Sequence, residues 1–453
     1  MIQENELFAK INSKQASNIF ARLYGENKID DARERYTKLA ANMLERGSGE
    51  LLDETTGELR VFSAPGRTEL GGNHTDHNHG KVLAASIQLD SVAIVKMRKD
   101  NTVIFRSTGF PDVKVKLVNP DGTPDMHPRR EETGTTEALV RGIASGFYSQ
   151  GCAAGGFSAN ADSNVLPGSG LSSSAAIEVQ IGRIFDSLYG EGKRTALEIA
   201  QVGQYAENIY FGKPCGLMDQ TACACGGAVA IDFTDAARPE VRQINFDLAA
   251  AGYALCIVNT GGNHADLTAD YAQIPSEMKA VAAFFGKSTL GELDKETVIA
   301  GASDIRKALG DRALLRSLHF FDENIRVDAM AAALTEMENV VTATAKQQAL
   351  ISYLNLVNES GESSRDLLQN IYSPNHPEFQ GISIALALTR DFFRKQKLRG
   401  ACRVHGGGFA GTIQAYIPMD AIDAYRVHIE MIFGAGSVTV LQIRSKGAIE
   451  LVF

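Results

Sequence analysis

Between Gly66 and Gly80 the chain reads GRTELGGNHTDHNHG, packing Arg67, Asn73, His74, Asp76, His77 and His79 into one glycine-punctuated stretch. So many titratable and hydrogen-bonding groups are too polar for an ordinary core element, and the stretch reads as a binding site. A second segment, LPGSGLSSSAAIEV from Leu166 to Val179, leads through glycines into three serines and then into apolar residues at helical spacing. Such a loop offers backbone N–H groups at a helix N-terminus, where free donors and the macrodipole both attract phosphate. Serine hydroxyls there can add hydrogen bonds or ligate Mg²⁺. The plain alternative is a serine-capped helix after a flexible loop. In PCGLMDQ, Asp219 stands just past a helix and a Gly212 to Gly216 turn, a place suited to a loop carboxylate. In RVHGGGFAGTIQAYI, Gly406 to Gly408 permit close backbone approach before an alternating strand.

Two other chemistries compete for these residues. His74, Asp76, His77 and His79 are ordinary transition-metal ligands, which would make the chain a metal-dependent hydrolase. A Walker-type loop is suggested by Gly286, Lys287 and Ser288, but its first glycine position is Val281 and the preceding IPSEMKAVAAFF has helical character.

The elements that must position these residues follow from periodicity. Residues 1 to about 60 read as a polar helical segment, in which Tyr36, Leu39, Ala40 and Leu44 share a face. Ser91 to Met97 and Thr102 to Ser107 read as strands of a hairpin around Lys99 to Asn101. Ile177, Ile181, Ile184, Phe185 and Leu188 mark a helix after the serines, and Thr195 with Glu198 has capping-box spacing for the next, which ends near Gly212. Strand-like AVAIDF and YALCIVN follow; the second half is helical to about Lys397 and then gives TIQAYI and SVTVLQI. Helix and sheet mixed in both halves argues α+β.

At 453 residues the chain exceeds what one core usually supports, so two domains around a cleft are expected, divided near residue 240 into 1–240 and 241–453. A net charge of −9 disfavours nonspecific nucleic-acid binding, and an anionic substrate would need a local positive site. The six cysteines lack the paired spacing of a disulfide or zinc framework. The first residues carry no signal-peptide core, and no apolar stretch approaches the roughly 20 residues of a membrane span. The expectation is a cytoplasmic protein without membrane or nucleic-acid partners. The sequence sets no oligomeric state and is compatible with a monomer.

Taken in order, GRTELGGNHTDHNHG, LPGSGLSSSA, KPCGLMDQ and HGGGFAG resemble the galactokinases within the superfamily of galactokinase, homoserine kinase, mevalonate kinase and phosphomevalonate kinase. RSLHFFDENIRV and NESGESSRDLL extend the resemblance from about residue 60 onward. It implies two α+β domains with the active site between them, and a sugar 1-kinase using ATP and Mg²⁺. It also implies residue roles. Arg67 and Asp219 match the catalytic pair; Gly168, Gly170, Leu171, Ser172, Ser173 and Ser174 would hold the ATP phosphates, and Ser174 with Glu207 would ligate the metal. Asn73, His74, Asp76, Gly216 and Tyr271 match sugar-contacting positions.

Galactokinases usually carry Glu where this chain has Asn73, and Tyr where it has His77. Against a hexuronate, a carboxylate at ~4 Å would cost on the order of 4 kcal/mol at an effective dielectric of 20, a repulsion that a neutral Asn73 avoids. The expected substrate is galactose, with a hexuronate such as galacturonate as the alternative. A noncatalytic sugar sensor is a further reading, against which Arg67, Asp219 and the serine run all speak.

Overall fold

The computed structural model describes residues 2–45, 50–153, 155–165, 170–213, 215–262 and 267–453. Helices α1 (Ile2–Ile11), α2 (Lys14–Tyr24) and α3 (Ile29–Glu45) open the chain. Tyr36, Leu39 and Ala40 are buried as their spacing requires, while Met43 rather than Leu44 takes the next inward place. Helix α3 is described to Glu45, and the helical segment does not extend to residue 60 as the sequence suggested. Strand β1 already begins at Thr55 and runs to Gly71, because TTGELRVF is rich in residues that favour extended chain.

The first half continues with β2 (Lys81–Arg98), β3 (Thr102–Ser107), β4 (Val113–Lys116), α4 (Thr136–Ser149), β5 (Gly156–Ser163), α5 (Ser173–Tyr189) and α6 (Ala196–Tyr205). Thr195 and Glu198 close the expected capping box on α6, which passes into a π-helical turn, Ala206–Phe211, and ends at Gly212. Then come α7 (Met218–Cys225), β6 (Ala228–Asp232), β7 (Glu240–Ile244) and β8 (Tyr253–Asn259). The second half adds α8 (Thr268–Phe284), α9 (Lys295–Ala300), α10 (Ala302–Leu309), α11 (Asp311–Asn339), α12 (Ala343–Ser363), α13 (Gly381–Gln396), β9 (Ala401–His405), β10 (Thr412–Pro418), α14 (Ile422–Phe433), β11 (Val438–Leu441) and β12 (Ile449–Leu451).

Two sheets form among the described residues. The first has the order β12-β1-β2-β5-β3-β4, with β6 paired to β2 and β7 to β6; the second has the order β11-β8-β10-β9. The hairpin expected at Lys99 to Asn101 is not formed. Instead β5 lies between β2 and β3, antiparallel to the first and parallel to the second. A parallel pair needs a crossover, which α4 supplies. Phe157, Ala159 and Ala161 of β5 face the core under α4 to α7, and that burial takes β5 to the sheet centre.

The first sheet is thus covered on both faces. Helices α4 to α7 pack on one, while α1 to α3 pack on the other against Val61, Val92, Ile94, Ile104 and Leu451. Asp90 ties these layers together. Its buried carboxylate accepts from Tyr24 (2.6 Å), Ser63 (2.5 Å), Arg35 (2.6 Å) and Arg444 (2.9 Å). Burial would raise its pKa, yet Arg35 and Arg444 together hold it below the ordinary value. In the second half, α13 and α14 cover one face of the second sheet, and α11 and α12 fill the space between the two sheets.

Candidate active site

The pairing of β1 with β2 shifts register between Pro65 and Arg67 and again between Glu69 and Gly71. Such bulges bend a strand and re-aim its side chains. Here they bracket Arg67 and Glu69. Gly66, at the first bulge, lets another backbone come close: a Cβ there would lie 2.7 Å from the Leu171 carbonyl, which accepts from Arg67 N at 3.0 Å. The glycine-serine segment is therefore seated directly against β1.

Arg67 grips Asp219 with both arms of its guanidinium, Nε to Oδ1 at 2.8 Å and Nη2 to Oδ2 at 2.7 Å. The planar fork matches the carboxylate, which makes this a strong and oriented pair. Nη1 also donates to the Gly170 carbonyl, and the Ser172 hydroxyl donates to Asp219 Oδ2. Ser172 stands at the N-cap of α5 with φ 58°, the left-handed region, and its side chain is turned to Asp219 instead of capping the helix. Asp219, in the first turn of α7, keeps 32% of its side chain open. Burial pushes its pKa up, but the Arg67 charge and hydrogen bonds, with Ser172, outweigh this and hold it below the ordinary carboxylate value. It is ionised at neutral pH and can accept a hydroxyl proton's hydrogen bond. Of the remaining phosphate-loop residues, Leu171 is buried, Ser173 half-buried and Ser174 exposed on the first turn of α5; Gly168 lies outside the described residues.

Behind Ser174 lies an acidic cluster. Ser174 and Glu178 are four apart on α5, so they share a helix face. Gln220 Nε2 donates to Glu178 Oε2 and to Glu207 Oε2, each at 2.9 Å. Glu207 comes from the π-helical turn and is buried. Lys213 reaches its other oxygen at 3.3 Å from a largely exposed position. Glu178 Oε1 and Gln220 Oε1 are buried without a hydrogen-bond partner. Burial, and then the nearby Glu207, push the Glu178 carboxyl well above its ordinary pKa. Two buried carboxylates sharing one neutral amide, with an orphaned oxygen, form a donor set that suits a hard divalent cation.

On the other side of Arg67, the loop after β1 turns through His74 and His79, both with φ 61°. Asp76 is fixed by the His77 amide, which donates to Oδ1 at 2.9 Å. Its carboxylate lies against Gly216, where any Cβ would overlap Oδ2. Asp76 and Gly216, both among the positions matched to sugar contacts, are therefore in contact. His74 Nε2 donates to the Gly407 carbonyl at 2.9 Å, and burial pushes its pKa down to about 4, so the ring is neutral. Tyr271 donates to the Gly408 carbonyl at 2.9 Å. Asn73 does not face an open surface. It is 1% exposed and turned inward between Glu69 and the glycine triplet. Among the described residues no three His, Cys, Asp or Glu side chains converge as a metal group, and the Gly286 to Ser288 segment is a turn between helices whose Ser288 and Thr289 amides are capped by Glu292.

Several residues at this site escaped the sequence reading. Glu69 forms a buried ion pair with Arg403 at 2.5 Å. His405 bridges Thr68 and Thr412, each at 3.0 Å. From α11, His319 donates to the Asn73 carbonyl at 2.9 Å, while Glu323 accepts from the Gly72 amide at 3.1 Å. The spacing of His319 and Glu323, one helical turn apart in RSLHFFDENIRV, was the available signal. Glu178 was equally visible, four residues after Ser174.

Residues 138–227 match the family model described as the GHMP kinases N terminal domain, and residues 52–97 match the galactokinase galactose-binding signature. A galactokinase of Streptomyces coelicolor is 30% identical over 380 residues, a span of 83% of this chain and 89% of that protein. Among solved structures, a Lactococcus lactis galactokinase complexed with galactose superposes with a TM-score of 0.72 at 25% identity, over 91% of this chain and 100% of that one. A Methanococcus jannaschii mevalonate kinase shares the fold, with a TM-score of 0.54 at 14% identity over 85% of this chain and 99% of that one.

Proposed function

Because this chain belongs to the galactokinase family, and is thereby an ATP-dependent carbohydrate kinase, we propose that it transfers the γ-phosphoryl group of ATP to the anomeric hydroxyl of galactose. The observation that carries this is the Arg67–Asp219 pair, held bidentately and tied to the phosphate-type loop through Gly170, Leu171 and Ser172. A group that must sit between a sugar hydroxyl and a phosphate is thus built into both sides of the site.

Phosphoryl transfer needs alignment and charge stabilisation more than covalent chemistry. Asp219 accepts the hydrogen bond of the attacking hydroxyl and aims its oxygen. A carboxylate with a depressed pKa is a weak base, so its contribution is mainly orientation and electrostatics, with the proton leaving late. Arg67 fixes that carboxylate and offsets charge on the transferring group. The loop from Gly170 to Ser174 binds the phosphates at the N-terminus of α5. Ser174 and Glu207, with Glu178 behind them, would hold Mg²⁺, which supplies neutralisation of the phosphate oxygens. His74, Asp76, Gly216 and Tyr271 form the sugar side, where Asp76 can accept from two hydroxyls. The reading places the protein in the cytoplasm, where ATP is held, and its six cysteines are all free.

The case for a hexuronate rested on a neutral residue at 73. Residue 73 is enclosed, with its amide committed to Glu69, Gly406 and Asn370, so its neutrality offers a hexuronate no contact and the remaining sugar-side residues support galactose. The test is ADP release from ATP with galactose, galacturonate, glucuronate and N-acetylgalactosamine, followed by identification of the sugar phosphate. We expect galactose 1-phosphate and the highest kcat/KM for galactose. Release with no sugar of the panel would favour the sensor reading, and a preference for galacturonate would overturn the substrate.

A further inference from the structure

Three consecutive carbonyls of the glycine triplet are each taken by a side chain from elsewhere in the chain. Gly406 O accepts from Asn73 at 2.7 Å, Gly407 O from His74 at 2.9 Å and from Asn370 at 3.1 Å, and Gly408 O from Tyr271 at 2.9 Å. The triplet lies between β9 and β10 of the second sheet, whereas Asn73 and His74 follow β1 of the first. The contact is thus a seam between the two halves.

Asn73 is its centre. Its Nδ2 donates to Gly406 O and to the Glu69 carboxylate, at 3.1 Å and 3.4 Å from the two oxygens, while its Oδ1 accepts from Asn370 Nδ2 at 2.7 Å. Both amide hydrogens are therefore used inside the protein, and the residue is almost wholly enclosed. The backbone on either side is held as well, by His319 at the Asn73 carbonyl and by Glu323 at the Gly72 amide. A side chain so placed has little to offer a sugar. What it fixes is the next residue, His74, whose left-handed backbone turns the loop toward Asp76.

We propose that Asn73 is a positioning residue that latches the sugar-binding loop to the glycine triplet, with Glu69 supplying the local carboxylate and Arg403 its ion-pair partner. This rests on the sugar-kinase reading above. A carboxylate at 73 would lose both donors and face the Glu69 carboxylate, whose ion pair with Arg403 is already made. Relief then has to come from residue 69, not from a different sugar.

The experiment is a double-variant cycle on the full chain: Asn73→Asp, Glu69→Gln and the two combined, with sugar and ATP KM measured separately and galactose binding followed by calorimetry. Asn73→Asp should raise the galactose KM by about tenfold or more while the ATP KM stays within about twofold, because the loss is confined to the sugar loop. Adding Glu69→Gln should bring the galactose KM back to within about threefold of Glu69→Gln alone, as expected of two residues in contact. An unchanged KM in Asn73→Asp, or no restoration by Glu69→Gln, overturns the latch. If Asn73→Asp does not fold, Asn370→Ala decides: Asn370 is fully buried, so a rise in galactose KM alone supports the latch, and no change overturns it. If wild type turns over no sugar, the kinase reading falls, whereas galactose dissociation constants across the same variants still report on the latch.

Discussion

Asp219→Asn keeps the shape of the site and removes one charge. A positioned proton acceptor contributes about 10² to 10⁴ in rate, so kcat should fall by two to four orders of magnitude, or about 3–5 kcal/mol at ~1.4 kcal/mol per tenfold. The structure adds a second effect. Arg67 keeps one acceptor, the amide oxygen, but loses the second of its two contacts at 2.8 and 2.7 Å and the opposite charge, and is itself buried. Removing one partner of a fully buried pair costs about 3–5 kcal/mol. Because Asp219 keeps 32% of its side chain open, solvent screens the remaining guanidinium, and ~1–3 kcal/mol of stability loss is the better figure. ADP release at saturating ATP and galactose gives kcat, calorimetry gives galactose affinity, and thermal unfolding gives the stability change. Binding should be largely retained while turnover is lost. A folded variant with kcat within about tenfold of wild type would refute the assignment of Asp219, since it falls short of what such a group supplies.

Two more outcomes follow from buried charges elsewhere. Burial would raise the Glu323 pKa, but His319, Arg326, Arg403 and Ser360 bring it down to about 2 from 4.5. The folded value lies below the unfolded one, so the stabilisation is present above pH 4.5 and is lost as pH falls toward 2, a change on the order of 3 kcal/mol. The difference in unfolding temperature between wild type and Glu323→Gln should shrink over that range, and a gap independent of pH counts against it. Asp90→Asn should lower stability by about 3–5 kcal/mol, because it strands the fully buried Arg444, while kcat of the folded protein stays at the wild-type value. An unchanged unfolding temperature would show that Asp90 does not anchor α1 to α3.

Legibility in the sequence tracked how local each signal was. The helix after Ser172 to Ser174 and the capping box at Thr195 depend on neighbours in the chain, and both appear where periodicity and capping chemistry put them. Strand pairing depends on distant partners, so the insertion of β5 between β2 and β3 could not be read from the turn at Lys99 to Asn101. At the site, Arg67 and Asp219 stood out by motif. Their counterparts did not, because nothing in the residue types around Glu69, Arg403 and Asn370 says which distant partners they have, and only the fold shows where they meet. Asn73 was legible as unusual, but its direction was not: the bulge at Glu69 and the helix α11 turn it inward, and neither a register shift nor a distant helix can be read from the motif's residue types.

Strand β12 lies beside Val61 to Ser63 on β1, the strand that also carries Arg67. During synthesis that edge of the first sheet stays open until residues 449–451 have been made and have left the ribosome. An unpaired edge can recruit wrong strands, and pairings between such distant segments form slowly. The strand that carries Arg67 consequently gains its full set of neighbours late, and until then the nascent chain is open to aggregation along that edge.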